Sequence, residues 1–285
     1  MKHSKTTVAA FALVLTALAL GAKDGITLKR TLKAGTETYK FETTGKTTLS
    51  MPGGGDQDMG MTTLSTYKYK ISDPDATSGL SPVEVTYKVD KFDVDGPLAE
   101  IMAGQKDKIL VTTTSNGKLD TKNRYAADPT KKVDPRSVLN GSSAFAIVSP
   151  YFEFPDKALS PGDTWDITIP KGPLTSSQDQ KITAKFIGEK DGGYSISITG
   201  SVKFSIDVGA LLKDNPVPEL TALGAVNLEV KGSTDVSGDI VIDKTTFQTV
   251  SMTFKLATKQ ETSLPDQGMS IPSTGTTTVK ITADK

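Results

Sequence analysis

The sequence predicts a mainly β protein: long curved antiparallel strands, a few short helices, and either two tandem similar halves or one continuous large sheet. Three observations carry this. Threonine occurs 39 times in 285 residues and, with Val, Ile, Tyr and Phe, dominates the segments outside the loops. Such β-branched and aromatic side chains fit a pleated, half-buried surface. Apolar and polar residues alternate with period two over long runs. Runs with a helical period are short and scarce.

The chain opens with MKHSKTTVAAFALVLTALALGA. Lys2 and Lys5 form a basic stretch, Val8 to Leu20 is apolar apart from Thr16, and Gly21-Ala22 precede charged Lys23-Asp24. This is the layout of a secretory signal peptide, with removal expected after Ala22 or Gly21, or after Ala19. The apolar run of about 13 residues is short of the roughly 20 that cross a bilayer as a helix. The expected organisation is therefore a signal peptide at 1–22, a first β half at 23–135 and a second at 136–285. The reading places the protein in the periplasm or outside the cell, with no transmembrane anchor after cleavage.

Tyr67, Tyr69 and Ile71 alternate with lysines, and Val83, Val85, Tyr87 and Val89 alternate with polar residues. The phase then slips before Phe92 and Val94, which predicts a β-bulge near Asp90-Lys91. The cleanest run is Tyr194, Ile196, Ile198, Gly200, Val202, Phe204 and Ile206. It predicts a strand of about 40 Å, with Gly200 at a bend. Further strands are expected around Val226-Leu228-Val230 and Val250-Met252-Phe254-Leu256. Asn116-Gly117, Asp191-Gly192-Gly193 and Ser237-Gly238 carry turn chemistry. Helices are expected at Pro97 to Gln105, Ser142 to Phe152 and Val208 to Lys213. Two polar segments, 51–61 and 264–273, lack alternation in this reading and are expected as protruding hairpin tips with Met, Pro and Asp-Gln.

Leu32-x-x-Gly35 before Tyr39 echoes Leu159-x-x-Gly162 before Trp165, and the order of elements recurs after each. Together these residues resemble a family of uncharacterised, exported, β-rich bacterial proteins, a domain of unknown function. The resemblance rests on Leu32 to Tyr39, the Met-bearing hairpin Met51 to Met61, Tyr67 to Ile71, the D-x-D-G turn at Asp93 to Gly96, Gly117-Lys118 and the P-G-D-x-W motif at Pro161 to Trp165. It implies an exported β-rich body and no particular activity.

Composition narrows the chemistry. There is no cysteine, and the one histidine, His3, lies in the leader. The mature chain would thus lack the commonest general base and the two commonest zinc ligands. Basic and acidic residues number 33 each, so no net field attracts nucleic acid. Asp73/Asp75, Asp90/Asp93/Asp95 and Asp56/Asp58 lack a complete Ca²⁺ loop and read as turn residues. S-x-x-K occurs at Ser65/Lys68 and Ser115/Lys118, but not at the start of a helix. Met51, Met59, Met61 and Met269 could ligate Cu(I) only without His or Cys support. Trp165 and Tyr39 read as core anchors. The expectation is a protein that is not an enzyme and carries no cofactor or metal.

Two functions are left open: binding of an apolar ligand or lipid, and a structural or protein-interaction role in the cell envelope. A glycosidase-like enzyme is a distant third. Phe145, Val148, Tyr151, Phe152 and Phe154 lie in a stretch apolar on almost every side. Such a helix is buried between layers or lines an apolar space. In a curled sheet this resembles the lipid carriers of the bacterial envelope, where a half-barrel closes on a helix. These five residues are the expected ligand contacts, against the alternative of a filled core.

Overall fold

The computed structural model describes residues 25–51, 53–96, 99, 112–128, 148–172, 175–214, 228–265 and 268–284. They form one eleven-stranded sheet in which every described pairing of neighbours is antiparallel. The strands are β1 (Gly35–Met51), β2 (Gly55–Ile71), β3 (Ser81–Val94), β4 (Thr112–Leu119), β5 (Tyr125–Ala127), β6 (Thr164–Ile169), β7 (Gln180–Lys190), β8 (Gly193–Asp207), β9 (Glu229–Asp243), β10 (Thr249–Leu264) and β11 (Met269–Asp284). One helix, α1 (Val208–Asp214), follows β8 where the sequence places it.

The order across the sheet is β5-β4-β3-β2-β1-β11-β10-β9-β8-β7-β6. The chain thus enters at the middle, meanders to one edge, crosses to the opposite edge, and meanders back until β11 meets β1. The first meander and the second share this single ladder and one apolar core. The expected boundary at 135/136 lies outside the described residues, as do residues 1–22 and all but Ala99 of the Pro97 to Gln105 helix.

Laid flat, eleven strands would span roughly 48 Å from edge to edge. The connection between the edges shows that the sheet curls. Phe154 N–H donates to Lys122 O beside β5 (2.9 Å), while Glu153 O accepts the indole N–H of Trp165 in β6 (2.8 Å). Arg124 pairs with Glu153 and Lys122 with Asp156 across the same junction. Two consecutive residues therefore tie the edges together without strand pairing. The N-terminal segment 25–34 joins this clasp: Ile26 and Leu159 exchange backbone bonds, and Arg30 N–H donates to Thr121 O.

Three readings are corrected by the structure. The described part of the Ser142 to Phe152 segment, from Val148 on, is irregular chain; Pro150 cannot donate within a helix. Asn116-Gly117 and Ser237-Gly238 lie within β4 and β9, not in turns. A Cβ on Gly117 would meet the Tyr125 ring at 2.5 Å, and one on Gly238 the Phe254 ring at 2.6 Å, so each glycine makes room for an aromatic ring. The polar segments 56–61 and 269–273 do alternate, with Gln57, Met59, Met61, Ile271 and Ser273 inward and Asp56, Asp58, Gly60, Ser270 and Pro272 outward, so β2 and β11 run through them.

Other expectations hold. Leu64 faces Lys91 and Ser65 faces Val89, leaving Asp90 as the bulged residue. β8 is 15 residues long. Asp191 and Gly192, both with positive φ, turn β7 into β8. Tyr39 and Trp165 are buried in the core.

Candidate functional site: the inward face of the sheet

The curl gives the sheet an inward face, and position along the strands divides it. The end bearing the β2–β3, β4–β5, β7–β8 and β9–β10 turns is proximal. The end bearing the β1–β2 and β10–β11 hairpins and α1 is distal. Leu49 pairs with Ser273, so the two Met-, Pro- and Asp-bearing hairpins lie side by side there.

The proximal half is a packed core. Tyr39, Phe41, Ile281, Met252, Ile240, Ile196 and Phe186 form its floor, and Leu28, Val148, Tyr151, Phe152, Phe154 and Leu159 pack onto it from the clasp. The structure thus brings together Val148, Tyr151, Phe152 and Phe154, all buried, as core residues; Phe145 lies outside the described residues. Of seven tyrosines, six form one aromatic network: Tyr39, Tyr67, Tyr69, Tyr87, Tyr125 and Tyr151. Tyr69 touches Tyr151 edge-on at 4.8 Å between centroids.

Within this core sits a polar lock that the sequence did not signal. The Arg30 side chain is 1% exposed and Glu37 13%. Arg30 pairs with Glu37 Oε1, donates to Asn123 Oδ1 (2.7 Å) and stacks on Tyr151, 5.0 Å from the ring centroid. Glu37 also accepts from Tyr39 (3.0 Å), Tyr151 (3.0 Å) and Gln248 (3.0 Å). Asn123, fully buried with φ 60°, donates its amide to Phe152 O (3.3 Å). Burial, the largest single influence, would lower the Arg30 pKa, but the charge and hydrogen bond of Glu37 together with the Tyr151 and Tyr39 phenols outweigh it and the net shift is upward. Burial raises the phenols of Tyr39 and Tyr151 far above their ordinary value, and the Glu37 charge adds to it. Beside the lock a cavity of 360 Å³ opens between the 30–37 segment and the β9–β10 turn.

The distal half differs in kind. Its inward positions are Thr47 and Leu49 on β1, Met59 and Met61 on β2, Ile271, Ser273 and Gly275 on β11, and Thr258, Gln260, Thr262 and Leu264 on β10. All but Ser273 are half-buried. Along β1, β2, β8, β9, β10 and β11, Glu37 is the one charged residue at an inward position, and Arg30 neutralises it. The outward positions of these strands hold the lysines and acids, such as Lys46, Asp58, Lys255, Lys259 and Lys231. At the distal end of β8 and β9, Phe204, Ile206, Val230 and, in α1, Val208 and Leu211 are buried apart from the main core.

The other expected chemistry resolves into structure. On a strand, residues three apart point to opposite faces. Ser65 is inward, donating to Tyr87 Oη (3.4 Å), while Lys68 is outward, and Ser115 and Lys118 are split likewise. Asp75 Oδ1 accepts from the N–H of Thr77 and Ser78, and Asp56 and Asp58 accept from Ser50 and Thr48 across the hairpin. Backbone and hydroxyl bonds at Asp75 hold its carboxyl below the usual range. Met59 and Met61 share a face, but Met269 lies six residues along β11 from Gly275, about 20 Å away. Among the described residues, no group of three or more His, Cys, Asp or Glu is placed to hold a metal.

No family model and no curated protein matches the chain. Among solved structures, the chain resembles one described as "Lipid-protein interactions in lipovitellin", with a TM-score of 0.44 and 10% identity. The match covers 89% of this chain but only 25% of that one, so this chain spans about a quarter of its length.

Proposed function

We propose that the protein is an exported, non-enzymatic binding protein whose ligand is apolar and lies along the distal half of the inward face. The observation that carries this reading is the distribution of charge. Strands of 15 to 17 residues keep every charge but Glu37 off one face, although packed core fills only part of that face. A solvated surface has no need to exclude charge, whereas a surface that meets apolar matter does. Lipid is the ligand class that such an elongated, uncharged floor suits. In this reading Val148, Tyr151, Phe152 and Phe154 act through the packed core that closes the proximal end. The splitting of each Ser–Lys pair between faces supports a non-catalytic role, and the basic and apolar leader supports export.

Titration with a lipid carrying a fluorescent acyl chain tests the proposal. The wild-type chain should bind at micromolar concentration, and Met61→Asp, which puts a charge on the floor, should weaken binding at least about ten-fold (about 1.4 kcal/mol). Absence of saturable binding by the wild type would leave a purely structural role. Intact mass of the exported protein should show loss of about 19–22 residues.

A further inference from the structure

We propose that the ligand of the distal inward face is an ester-linked acyl lipid with an uncharged headgroup, hydrogen-bonded through its ester by Ser273. This deepens the reading above and rests on it. Ser273 is 5% exposed, and its Oγ is buried with no hydrogen-bond partner among the described residues. It faces inward on β11, between Leu49 of β1 and Gln260 of β10. A buried hydroxyl left unpaired is a cost to the fold, and native structures carry few of them. One such hydroxyl on the floor of an otherwise half-buried, uncharged face is a place for a ligand group. The other, Ser81 Oγ, lies in the packed proximal half opposite fully buried Leu119.

The surroundings select the chemistry. A serine hydroxyl can donate one hydrogen bond to a carbonyl oxygen. No Lys or Arg faces inward on the six long strands, so a carboxylate or phosphate brought to Ser273 would lose its hydration without gaining a counter-charge. An ester carbonyl accepts the bond and brings no charge. Leu49 and Ile271 flank Ser273 with apolar surface for the start of the chain, and Met59 continues it on β2.

The test compares a monoacylglycerol carrying a fluorescent chain with the matching free fatty acid, at a pH where the acid is ionised. The glyceride should bind more tightly. Ser273→Ala should weaken glyceride binding about five- to ten-fold, the loss of one hydrogen bond, and leave the fatty acid unchanged. Ser273→Thr, which keeps the hydroxyl, should retain glyceride binding. Ser273→Ala should also raise the melting temperature of the unliganded protein, because it removes an unsatisfied buried group. The proposal is overturned if the fatty acid binds as tightly as the glyceride, or if Ser273→Ala leaves glyceride affinity within about two-fold. Binding of the acid alone would overturn this assignment while the broader reading stands; binding of neither lipid would remove both.

Discussion

Cutting the Arg30–Glu37 lock should loosen the clasp by a measurable amount. Arg30→Met leaves a carboxylate 13% exposed, with Tyr39, Tyr151 and Gln248 as its remaining donors. Glu37→Gln leaves a guanidinium 1% exposed, with Asn123 as its neutral acceptor. Removing one partner of a buried pair costs about 3–5 kcal/mol. The three surviving donors put Arg30→Met near the lower figure, and the deeper burial of Arg30 puts Glu37→Gln near the upper. The double variant should lie well short of the sum, by at least about 2 kcal/mol, because each single change already forfeits the pairing. Trp165 is the only tryptophan, and its indole bonds to Glu153 in the clasp, so its fluorescence reports this region during urea unfolding. With a slope of about 3 kcal/mol/M, Arg30→Met should move the midpoint down by about 1 M. Additive singles, each below about 1 kcal/mol, would show that the lock contributes nothing as a pair and would refute the reasoning.

Alkali should destabilise the protein through its tyrosines. Burial raises the pKa of Tyr39, Tyr67, Tyr69 and Tyr151 in the folded state, so their stabilisation is complete below the unfolded value near 10 and is lost as pH rises towards the folded values. Each should remove about 1.4 kcal/mol per pH unit in that window, and tyrosinate absorbance should rise together with unfolding instead of before it. Gly238→Ala would place a Cβ 2.5 Å from Thr253 O and 2.6 Å from the Phe254 ring, and should cost about 1–3 kcal/mol in a thermal melt. Gly35→Ala meets nothing within 4 Å and should be neutral or slightly stabilising.

Much of the ladder was legible because alternation is a local signal. The bulge at Asp90, the full length of β8 and the turn at Asp191-Gly192 all follow from residues adjacent in the chain. Gly117 and Gly238 misled because glycine serves two physical ends, a left-handed turn and clearance for a neighbouring ring, and only the fold tells which applies. The 148–154 stretch, VSPYFEF, is mostly apolar because it packs between sheet edges as irregular chain, a pattern that a helix buried all round would share. The lock was not legible at all. Arg30 meets Glu37 seven residues on, but Asn123, Tyr151 and Gln248 come from 93, 114 and 211 residues away from their partners. The uncharged distal face is half visible in the sequence: Met59 and Met61 stand out as methionines in a polar segment, whereas Ser273 reads like any serine in a polar hairpin.

The central position of β1 has a consequence for the order of folding. Thr38 pairs with Asp284 and Leu49 with Ser273, so the seam between β1 and β11 closes loops of more than 200 residues, whereas β1–β2 closes through a three-residue turn. Contacts so distant in sequence form slowly, because the entropy of closing the loop is lost before the seam gains anything. Each meander can assemble from its own hairpins, but the first must wait with the inner edge of β1 unpaired until β11 has been made. An exposed edge that long is a template for another chain. Here it carries Lys40 and Lys46 on its outward side, charges that disfavour pairing between two waiting copies. The inward face is thus completed only when β11 reaches β1, a strand that precedes it by more than 200 residues.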